Sequence, residues 1–483
     1  MGLKEKTVNS VLWGSIERFS VMGINFILSI IVARLVLPAD FGVIAMTTIF
    51  LGVSNVFIDS GFANALVRKT DRTEIDNSTV FYFNIGVGIT IYVIIFFSAP
   101  LIASFYNIPI LLEVMRVIGL VILWNSLSVV QQAILTAKLD FKSQAKISLI
   151  SVSASGIIGV ILAYYGLGVW ALVAQIVSAA LGRMLLLWLY VKWLPQWSFS
   201  VDSFKSMFSY GSKLLMSNLV VTIGSSINSL ILGKTFPADQ LGYYNRSEQF
   251  VNFPLNSITA IFQKVTFPVY CLRKDNIPIL REFYLKTICV IAILIAPAMA
   301  ILFLLSQDII ILLLTEKWAP AAVLMQILIF TFAWSPIFSI NMNILSVLGY
   351  TKYVLNIEIV KMVLRIAVIL LAAPYGLKLI CYLLACVAFF NTFIYSYYIN
   401  KAIQVNWRTQ MSYIIPYIVA SVIIGIGVDY FIQIIESRLL RIIICLGIFL
   451  ISYLVALRLF DRDNLNFLLS LLPRRSLFPK LKK

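Results

Sequence analysis

Long apolar stretches, separated by short polar connections, recur along the whole chain. Each is at least about 18 residues long, which is enough for an α-helix to cross the hydrocarbon of a bilayer. Hydrocarbon offers no hydrogen bonds, so every backbone N–H and C=O must be paired within a helix or a closed barrel. The stretches are too long and too uniformly apolar for barrel strands, and the pattern therefore predicts transmembrane helices.

The pattern predicts an all-α integral membrane protein with about fourteen transmembrane helices. No connection exceeds about 15 residues, so we expect no extramembrane domain. An even number of spans places both termini on one side of the membrane. The predicted segments are 10–36, 41–66, 78–104, 110–136, 144–165, 168–191, 206–233, 240–268, 283–305, 320–347, 353–373, 378–400, 412–432 and 439–459.

Composition and charge sharpen this interpretation. Of the 483 residues 61% are hydrophobic and 12% are charged, whereas soluble domains are roughly 45 to 50% apolar. The net charge of +17 falls mostly in one set of alternate connections, which includes Arg68, Lys142 and Lys274. Cytoplasmic loops are enriched in Lys and Arg, so we expect both termini in the cytoplasm. Such loops attract anionic lipid headgroups, and the charge does not indicate nucleic-acid binding.

An internal repeat with a period of about 200 residues relates the two halves of the chain. Trp13-Gly14-Ser15 opens the first predicted helix and Tyr210-Gly211-Ser212 opens the seventh. Likewise, Pro38-Ala39-Asp40-Phe41-Gly42 is echoed by Pro237-Ala238-Asp239-Gln240-Leu241-Gly242. An even number of helices separates the copies, so they share one orientation. Ordinary turn chemistry is the alternative explanation for these Pro and Asp residues.

The repeat predicts two pseudo-symmetric six-helix lobes followed by a C-terminal helix pair. The predicted domains are an N-lobe of helices 1 to 6 (1–200), a C-lobe of helices 7 to 12 (201–400), and helices 13 and 14 with a basic cytoplasmic tail (401–483). We expect the lobes to rock about an axis along the membrane normal. The two Pro-Ala-Asp turns should then meet when the periplasmic side closes.

Histidine is absent, which removes the commonest general base and the commonest metal ligand. Cys271, Cys289, Cys381, Cys386 and Cys445 lie in or beside apolar segments, without the paired spacing of a zinc site or a disulfide framework. We therefore expect no catalytic residue, no metal and no cofactor. A membrane enzyme, such as a polysaccharide polymerase or ligase, would need a longer catalytic loop outside the bilayer.

Ionisable side chains inside the predicted helices are the candidate functional residues. Each costs about 2.5 to 3.5 kcal/mol in hydrocarbon, so it is expected to face a cavity or a partner. Arginine suits an anionic cargo, because its guanidinium binds two phosphate oxygens at once. The cationic candidates for substrate binding are Arg18, Arg246, Lys361 and Arg365. The carboxylates that are candidates for ion coupling are Glu17, Asp59, Glu248 and Glu358.

The eleventh predicted helix is the most informative, because Glu358, Lys361 and Arg365 are spaced i, i+3 and i+7 and share one face. Arg365 falls near the bilayer midplane, where a cation suits a passing anionic group. The alternative is a structural pair in which Glu358 neutralises Lys361. For Arg18 and Arg183 the alternative is snorkelling to the cytoplasmic headgroups.

Uncharged polar side chains in the same segments suit a hydrated cavity for a polyhydroxylated cargo. Interhelical hydrogen bonds are the alternative for the asparagines, and interfacial belts are the alternative for the aromatic residues. The candidate sugar contacts are Asn84, Tyr243, Tyr244, Asn252 and Trp334.

Short motifs follow one another in an order that is typical of one transporter family. They are Ala33-Arg34-Leu35 with the Pro38 turn, Ile58-Asp59-Ser60-Gly61-Phe62, Val80-Phe81-Tyr82-Phe83-Asn84, Leu139-Asp140-Phe141-Lys142, Gly166-Leu167-Gly168-Val169-Trp170-Ala171-Leu172, Leu241-Gly242-Tyr243-Tyr244, Phe267-Pro268 and Glu316-Lys317-Trp318. Through them, over about residues 5–400, the chain resembles Wzx-type polysaccharide transporters of the multidrug/oligosaccharidyl-lipid/polysaccharide exporter superfamily, especially colanic acid and lipopolysaccharide exporters. Thr315 departs from the Gly that relatives commonly have there, and this affects only a local turn.

The resemblance implies a flippase of the bacterial inner membrane. It would carry an undecaprenyl-diphosphate-linked oligosaccharide, such as an O-antigen, capsule or exopolysaccharide unit, to the periplasmic leaflet by alternating access. The superfamily also suggests that helices 13 and 14 provide a groove for the polyprenyl tail. Membrane lipids, a polysaccharide polymerase and the chain-length machinery are the expected partners.

The main alternative is a cation-coupled multidrug exporter of the same fold. A site for organic cations would need unpaired carboxylates, whereas the cationic candidates at least match the acidic ones in number. Coupling to H⁺ or Na⁺ and uniport driven by the membrane potential are both open, because outward movement of a negative charge gains about 2.3 kcal/mol per 100 mV.

The charge asymmetry of the loops gives a direct test of topology. Reporter fusions after Lys142 and Lys274 should be cytoplasmic, and fusions after Asp40 and Asp239 should be periplasmic. A paired set of reporters, one active on each side of the membrane, measures this. Any of the four fusions on the wrong side would contradict the predicted helix number.

Overall fold

A computed structural model describes residues 3–59, 61–69, 71–462 and 464. Every regular element in these ranges is helical. The chain divides into two compact units, Met1–Tyr243 and Tyr244–Lys483. The division into two lobes and a C-terminal pair stays a prediction.

The first unit contains long apolar helices and several short ones. They are α1 (Leu3–Leu35), α2 (Pro38–Asp59), α3 (Phe62–Arg68), α4 (Glu74–Tyr106), α5 (Ile110–Ile118), α6 (Leu120–Ser126), α7 (Val129–Ala137), α8 (Phe141–Tyr164), α9 (Val169–Val191) and α10 (Val201–Thr235). The next helix, α11 (Ala238–Arg273), begins in this unit and continues into the second.

The second unit continues in the same way. Its helices are α12 (Ile277–Leu304), α13 (Ser306–Leu314), α14 (Ala319–Phe332), α15 (Ser335–Val347), α16 (Thr351–Ala372), α17 (Leu377–Ile403), α18 (Trp407–Ser412), α19 (Ile415–Ile432) and α20 (Arg438–Phe460). Short 3₁₀ turns occupy Glu316–Trp318 and Ala373–Tyr375.

The protein is a multi-pass membrane protein. Within the described ranges, ten helices are long and apolar enough to cross a membrane, or eleven if the bent α5 to α7 segment is one span. Each of the predicted segments coincides with helix. Three predicted transmembrane segments, which correspond to α10, α11 and α16, are not among these ten or eleven helices. Helix α16 is polar because it carries Lys352, Glu358, Lys361 and Arg365.

Several segments predicted as single helices are interrupted. The break between α2 and α3 lies at Gly61, whose φ of 71° is accessible to glycine at little cost. The later breaks precede Pro336 and Pro416, which lie in the first turns of α15 and α19. Proline lacks an N–H and favours the first turn of a new helix, which accounts for the position of these two breaks.

The start of α4 is fixed by a capping box. The hydroxyl of Thr73 accepts a hydrogen bond from the N–H of Asp76, and the Asp76 carboxylate accepts one from the N–H of Thr73 at 2.8 Å. The same carboxylate is paired with Lys69 at 2.8 Å. These bonds satisfy amides that would otherwise lack partners, so the helix begins at Glu74, earlier than its apolar stretch predicts.

Two ion pairs join α20 to the segment that follows α12. Arg441 binds Asp308 of α13 at 3.2 Å, and its other guanidinium nitrogens donate to the carbonyl of Ile435. Arg438 lies 3.3 Å from Glu316, and both of these side chains are exposed. Since Asp308 is buried, the Arg441 pair is the one expected to hold α20 in place.

A double-mutant cycle separates the two pairs. Replacing Asp308 by Asn and Arg441 by Gln should give a coupling energy of about 1 to 3 kcal/mol. The matched cycle with Glu316→Gln and Arg438→Gln should give less than about 1 kcal/mol, because water screens an exposed pair. Unfolding of the purified variants in detergent measures both. Equal coupling in the two cycles would contradict the assignment.

Candidate functional site

A triangle of polar side chains lies between α16 and α17 in the second unit. The ammonium group of Lys361 lies 2.8 Å from Glu358 and donates to the hydroxyl of Tyr395 at 3.0 Å. That hydroxyl in turn donates to Glu358 at 3.4 Å. Tyr395 is buried, and its ring stacks on Phe338 of α15 at 4.5 Å. The predicted structural pair is therefore present, with a third member that fixes its geometry.

Arg365 extends this triangle by one helical turn. It interacts electrostatically with Lys361, with Tyr395 and with Glu248 of α11. We call Glu248, Glu358, Lys361, Arg365 and Tyr395 the charged cluster. By residue type, the cluster holds two carboxyl groups and two basic groups.

Arg246 lies on the other side of α11 from this cluster. Two residues along a helix correspond to a rotation of about 200°, so Arg246 and Glu248 point in opposite directions. The Arg246 guanidinium is buried, donates to the side chain of Gln249 and lies 5.8 Å from the ring of Trp318. The structure thus brings together two of the four predicted cations, Lys361 and Arg365, and places Arg246 elsewhere.

The first unit contains a separate polar network. The carboxylate of Glu17 accepts a hydrogen bond from Ser148 of α8 at 2.6 Å. Arg183 donates to Gln132 of α7 at 2.8 Å and interacts electrostatically with Glu17. Arg183 is therefore engaged with side chains of other helices, in contrast to the snorkelling that the sequence left open as an alternative. Arg18 is exposed.

The remaining predicted residues are dispersed. Asp59 is exposed at the end of α2. Asn84 is fully buried in α4, and neither atom of its amide group has a hydrogen-bond partner in the described structure. Tyr244 is buried, whereas Tyr243 and Asn252 are half-buried. Contact of these side chains with a sugar stays a prediction.

The second unit also contains an apolar cavity with a volume of about 490 Å³. It lies among α12, α14, α15 and α19, and the predicted sugar contact Trp334 is part of its wall. Apart from Trp334, only Ser421 and Asp429 among the lining residues have polar side chains. The Asp429 carboxylate accepts a hydrogen bond from Gln433 at 3.0 Å. A cavity of this kind fits a hydrocarbon chain far better than a sugar.

Sequence reasoning missed Tyr395 and Asp429. A tyrosine among apolar residues of a membrane helix gives no signal, because only the packing of α17 on α16 brings it to Lys361. Asp429 lies near the end of its helix, where a carboxylate resembles an ordinary interfacial residue. Within the described ranges, no group of three or more His, Cys, Asp or Glu side chains is placed to hold a metal ion.

Comparison with known sequences shows which protein family the chain matches. Residues 31–323 match the model of a family described as "Polysaccharide biosynthesis protein". The chain is similar to the teichuronic acid biosynthesis protein TuaB of Bacillus subtilis, with 29% identity over 57% of each chain. It is also similar to the lipopolysaccharide biosynthesis protein WzxC of Escherichia coli, with 23% identity over 68% of this chain and 67% of the relative.

A third relative is the succinoglycan biosynthesis transport protein ExoT of Rhizobium meliloti, with 23% identity over 65% of this chain and 64% of its own. These matches therefore span between 57% and 67% of the relatives' lengths.

Two solved structures share the fold. The lipid II flippase MurJ, in an inward closed conformation, aligns with a TM-score of 0.71 over 93% of this chain and 99% of its own. An inward-facing MATE family multidrug transporter aligns with a TM-score of 0.59 over 89% of this chain and 100% of its own. Sequence identity is 14% in both, so these likenesses concern the fold alone.

Proposed function

The chain belongs to the polysaccharide biosynthesis protein family, and from this premise we propose that it is a flippase for undecaprenyl-diphosphate-linked oligosaccharides. It moves the lipid-linked unit from the cytoplasmic to the periplasmic leaflet of a bacterial inner membrane. Three relatives carry names that refer to teichuronic acid, lipopolysaccharide and succinoglycan biosynthesis. Such polymers share a need to bring a sugar precursor across a membrane, and this shared need supports the proposal.

The proposed architecture has about fourteen spans, two six-helix lobes and a C-terminal pair, with both termini in the cytoplasm. Three of the proposed spans, α10, α11 and α16, are not plainly apolar. Two of these three helices carry the charged cluster, so the helices that look least like membrane spans are the ones to which the proposal assigns the cargo. Polar spans are tolerated where they face protein or water.

The observation that carries the proposal is the position of Arg365 in the charged cluster. Its guanidinium matches the geometry of a diphosphate, which it can bind through two parallel hydrogen bonds. Lys361 is held by Glu358 and Tyr395, so it contributes positive charge without leaving its position. Binding of the diphosphate then replaces one carboxylate, Glu248, as the electrostatic partner of Arg365.

Glu248 and Glu358 are the carboxylates of the cluster that a coupling cation, H⁺ or Na⁺, would neutralise. A carboxylate that loses its cationic partner in a poorly hydrated site is strongly destabilised. Glu17 and Asp59 of the first unit are further candidates for this role. Uniport driven by the membrane potential is the other energetic scheme that the charge of the cargo allows.

The apolar cavity is the proposed place for part of the polyprenyl tail. Burial of hydrocarbon against α12, α14, α15 and α19 would keep the tail associated with the protein while the head group moves. Surrounding lipids supply the remaining contacts. On the periplasmic side, a polysaccharide polymerase and the chain-length machinery are the proposed recipients.

The alternative is a cation-coupled multidrug exporter, which rests on likeness of fold to the MATE transporter alone. Glu248 and Glu358 are both balanced within the charged cluster, so the cluster does not favour an organic cation. Drug susceptibility of a deletion strain distinguishes the two functions, because a flippase mutant should lose surface polysaccharide without becoming drug-sensitive.

Substitutions of Arg365 test the site. Arg365→Ala should reduce surface polysaccharide by about tenfold or more, the effect of losing about 1.4 kcal/mol of binding free energy. Arg365→Lys should be impaired nearly as much, since a point charge does not replace the two-pronged guanidinium. The measurement is polymer at the surface of a complemented deletion strain, at equal amounts of membrane protein.

Lys352→Ala is the matched control, because Lys352 is an exposed cation on the same helix, and it should retain export. Full export by Arg365→Ala would remove Arg365 from the site. Export by Arg365→Lys at the level of the unchanged protein would show that charge alone is needed.

A further inference from the structure

Four tyrosines pack together in the second unit, where α16 begins and α17 ends. The ring of Tyr353 stacks on that of Tyr350, with 5.0 Å between the ring centroids, and lies 4.9 Å from the ring of Tyr398 on α17. Tyr397 packs edge-on against Tyr398 at 5.3 Å, and the ammonium group of Lys401 lies 4.5 Å from the Tyr397 ring centroid. We call the four tyrosines the tyrosine stack. None of them has a role in the function proposed above.

The turn that ends α15 fixes one end of the tyrosine stack. Gly349 has a φ of 79°, and its N–H donates to the carbonyl of Ser346 at 3.1 Å. The N–H of Tyr350 donates to the carbonyl of Leu345 at 2.8 Å. These two bonds form a Schellman motif, for which glycine is the favoured residue. Since the motif sets the path of the chain from α15 into α16, the position of Tyr350 beside Tyr353 is built into the backbone.

The tyrosine stack is continuous with the charged cluster. Tyr395 and Tyr398 are three residues apart on α17 and therefore lie on one face of that helix. Tyr395 is hydrogen-bonded to Lys361 and Glu358 of α16, and Tyr398 contacts Tyr353 of the same helix. The interface between α16 and α17 thus carries the charged cluster and, nearer the predicted cytoplasmic end, the tyrosine stack.

The charged cluster also indicates what this side of the helix pair faces. The side chain of Glu358 is 44% exposed, although it is paired with Lys361. A carboxylate exposed to hydrocarbon is costly, so an exposed one within a membrane helix faces a water-filled space. Tyrosines near the end of a membrane helix commonly form a belt in the lipid headgroups. Because Tyr398 shares its face of α17 with the partner of Glu358, this tyrosine adjoins the water-filled space.

We propose that the tyrosine stack binds the oligosaccharide of the lipid-linked cargo while Arg365 binds its diphosphate. The inference rests on the proposed function for the identity of the cargo. A pyranose ring has a face of C–H groups that packs on the flat face of an aromatic ring. The ammonium group of Lys401 has three N–H donors, and sugar hydroxyls are acceptors for them.

The spacing along α16 determines which cargo can reach both sites. Twelve residues separate Tyr353 from Arg365, which corresponds to about 18 Å of helix. A single sugar on the diphosphate is too short for this distance, whereas an oligosaccharide spans it. The tyrosine stack therefore distinguishes a lipid that carries an assembled oligosaccharide from the bare polyprenyl diphosphate. Because every pyranose offers a C–H face, the stack selects for the presence of the sugar chain and only weakly for the kind of sugar.

Competition between two lipids tests this selectivity. Purified full-length protein in detergent receives equal amounts of bare undecaprenyl diphosphate and of the polyprenyl-diphosphate-linked oligosaccharide extracted from the strain that makes the protein. Native mass spectrometry measures the ratio of the two lipids bound, and the unchanged protein should favour the lipid with sugar. Tyr353→Leu and Tyr398→Leu should each lower this ratio severalfold, because leucine keeps the apolar packing but has no flat ring for the sugar.

Two variants serve as matched controls. Tyr398→Phe keeps the flat ring and should keep the ratio. Tyr382→Leu removes an exposed tyrosine near the other end of α17 and should also leave the ratio unchanged. Binding of the bare lipid in the same sample shows that each variant is folded, because that lipid needs the diphosphate site but not the tyrosine stack.

The outcomes separate this inference from the proposed function. If Tyr353→Leu and Tyr398→Leu leave the ratio unchanged, or weaken binding of both lipids equally, the tyrosines are packing or belt residues and the inference is wrong. Equal binding of the two lipids by the unchanged protein would overturn the inference and leave the flippase proposal standing. Binding of neither lipid would overturn both.

Discussion

The cost of placing charge in hydrocarbon governs the interior of this protein. A buried ion without a partner costs several kcal/mol, so charged side chains within the helices must be paired, hydrogen-bonded or placed in water. Glu17 accepts a hydrogen bond from Ser148, and Lys361 forms an ion pair with Glu358 and a hydrogen bond to Tyr395. These bonds also fix which faces of the helices pack together, because each pair joins two helices or two turns of one helix.

The same constraint shapes the function. A cluster in which acidic and basic side chains are equal in number is tolerated without cargo, yet it contains an arginine whose geometry matches a diphosphate. In the proposed function, a negative cargo would disturb this balance on arrival and restore it on departure.

Apolar periodicity predicted the helices well, because burial in lipid depends on local composition. Proline was a weaker guide, since Pro336 and Pro416 follow breaks whereas Pro100 and Pro297 lie inside continuous helices. The pairing of Glu358 with Lys361 could also be predicted from the sequence, since both residues lie on one face of one helix. The electrostatic interaction of Glu248 with Arg365 was not, because the two residues lie on different helices and far apart in the chain. Nor could the sequence show that Arg246 faces Trp318, or that Trp334 lines an apolar cavity, since these contacts join residues far apart in the chain.

The most direct test is movement of the lipid-linked sugar itself. Purified protein is reconstituted into vesicles that contain a polyprenyl-diphosphate-linked oligosaccharide, and a membrane-impermeant probe such as a lectin measures how much sugar is exposed outside. The account predicts that lipid initially confined to the inner leaflet becomes accessible much faster than in protein-free vesicles. Accessibility that rises no faster with the protein than without it, under an imposed membrane potential or ion gradient of either sign, would contradict the account.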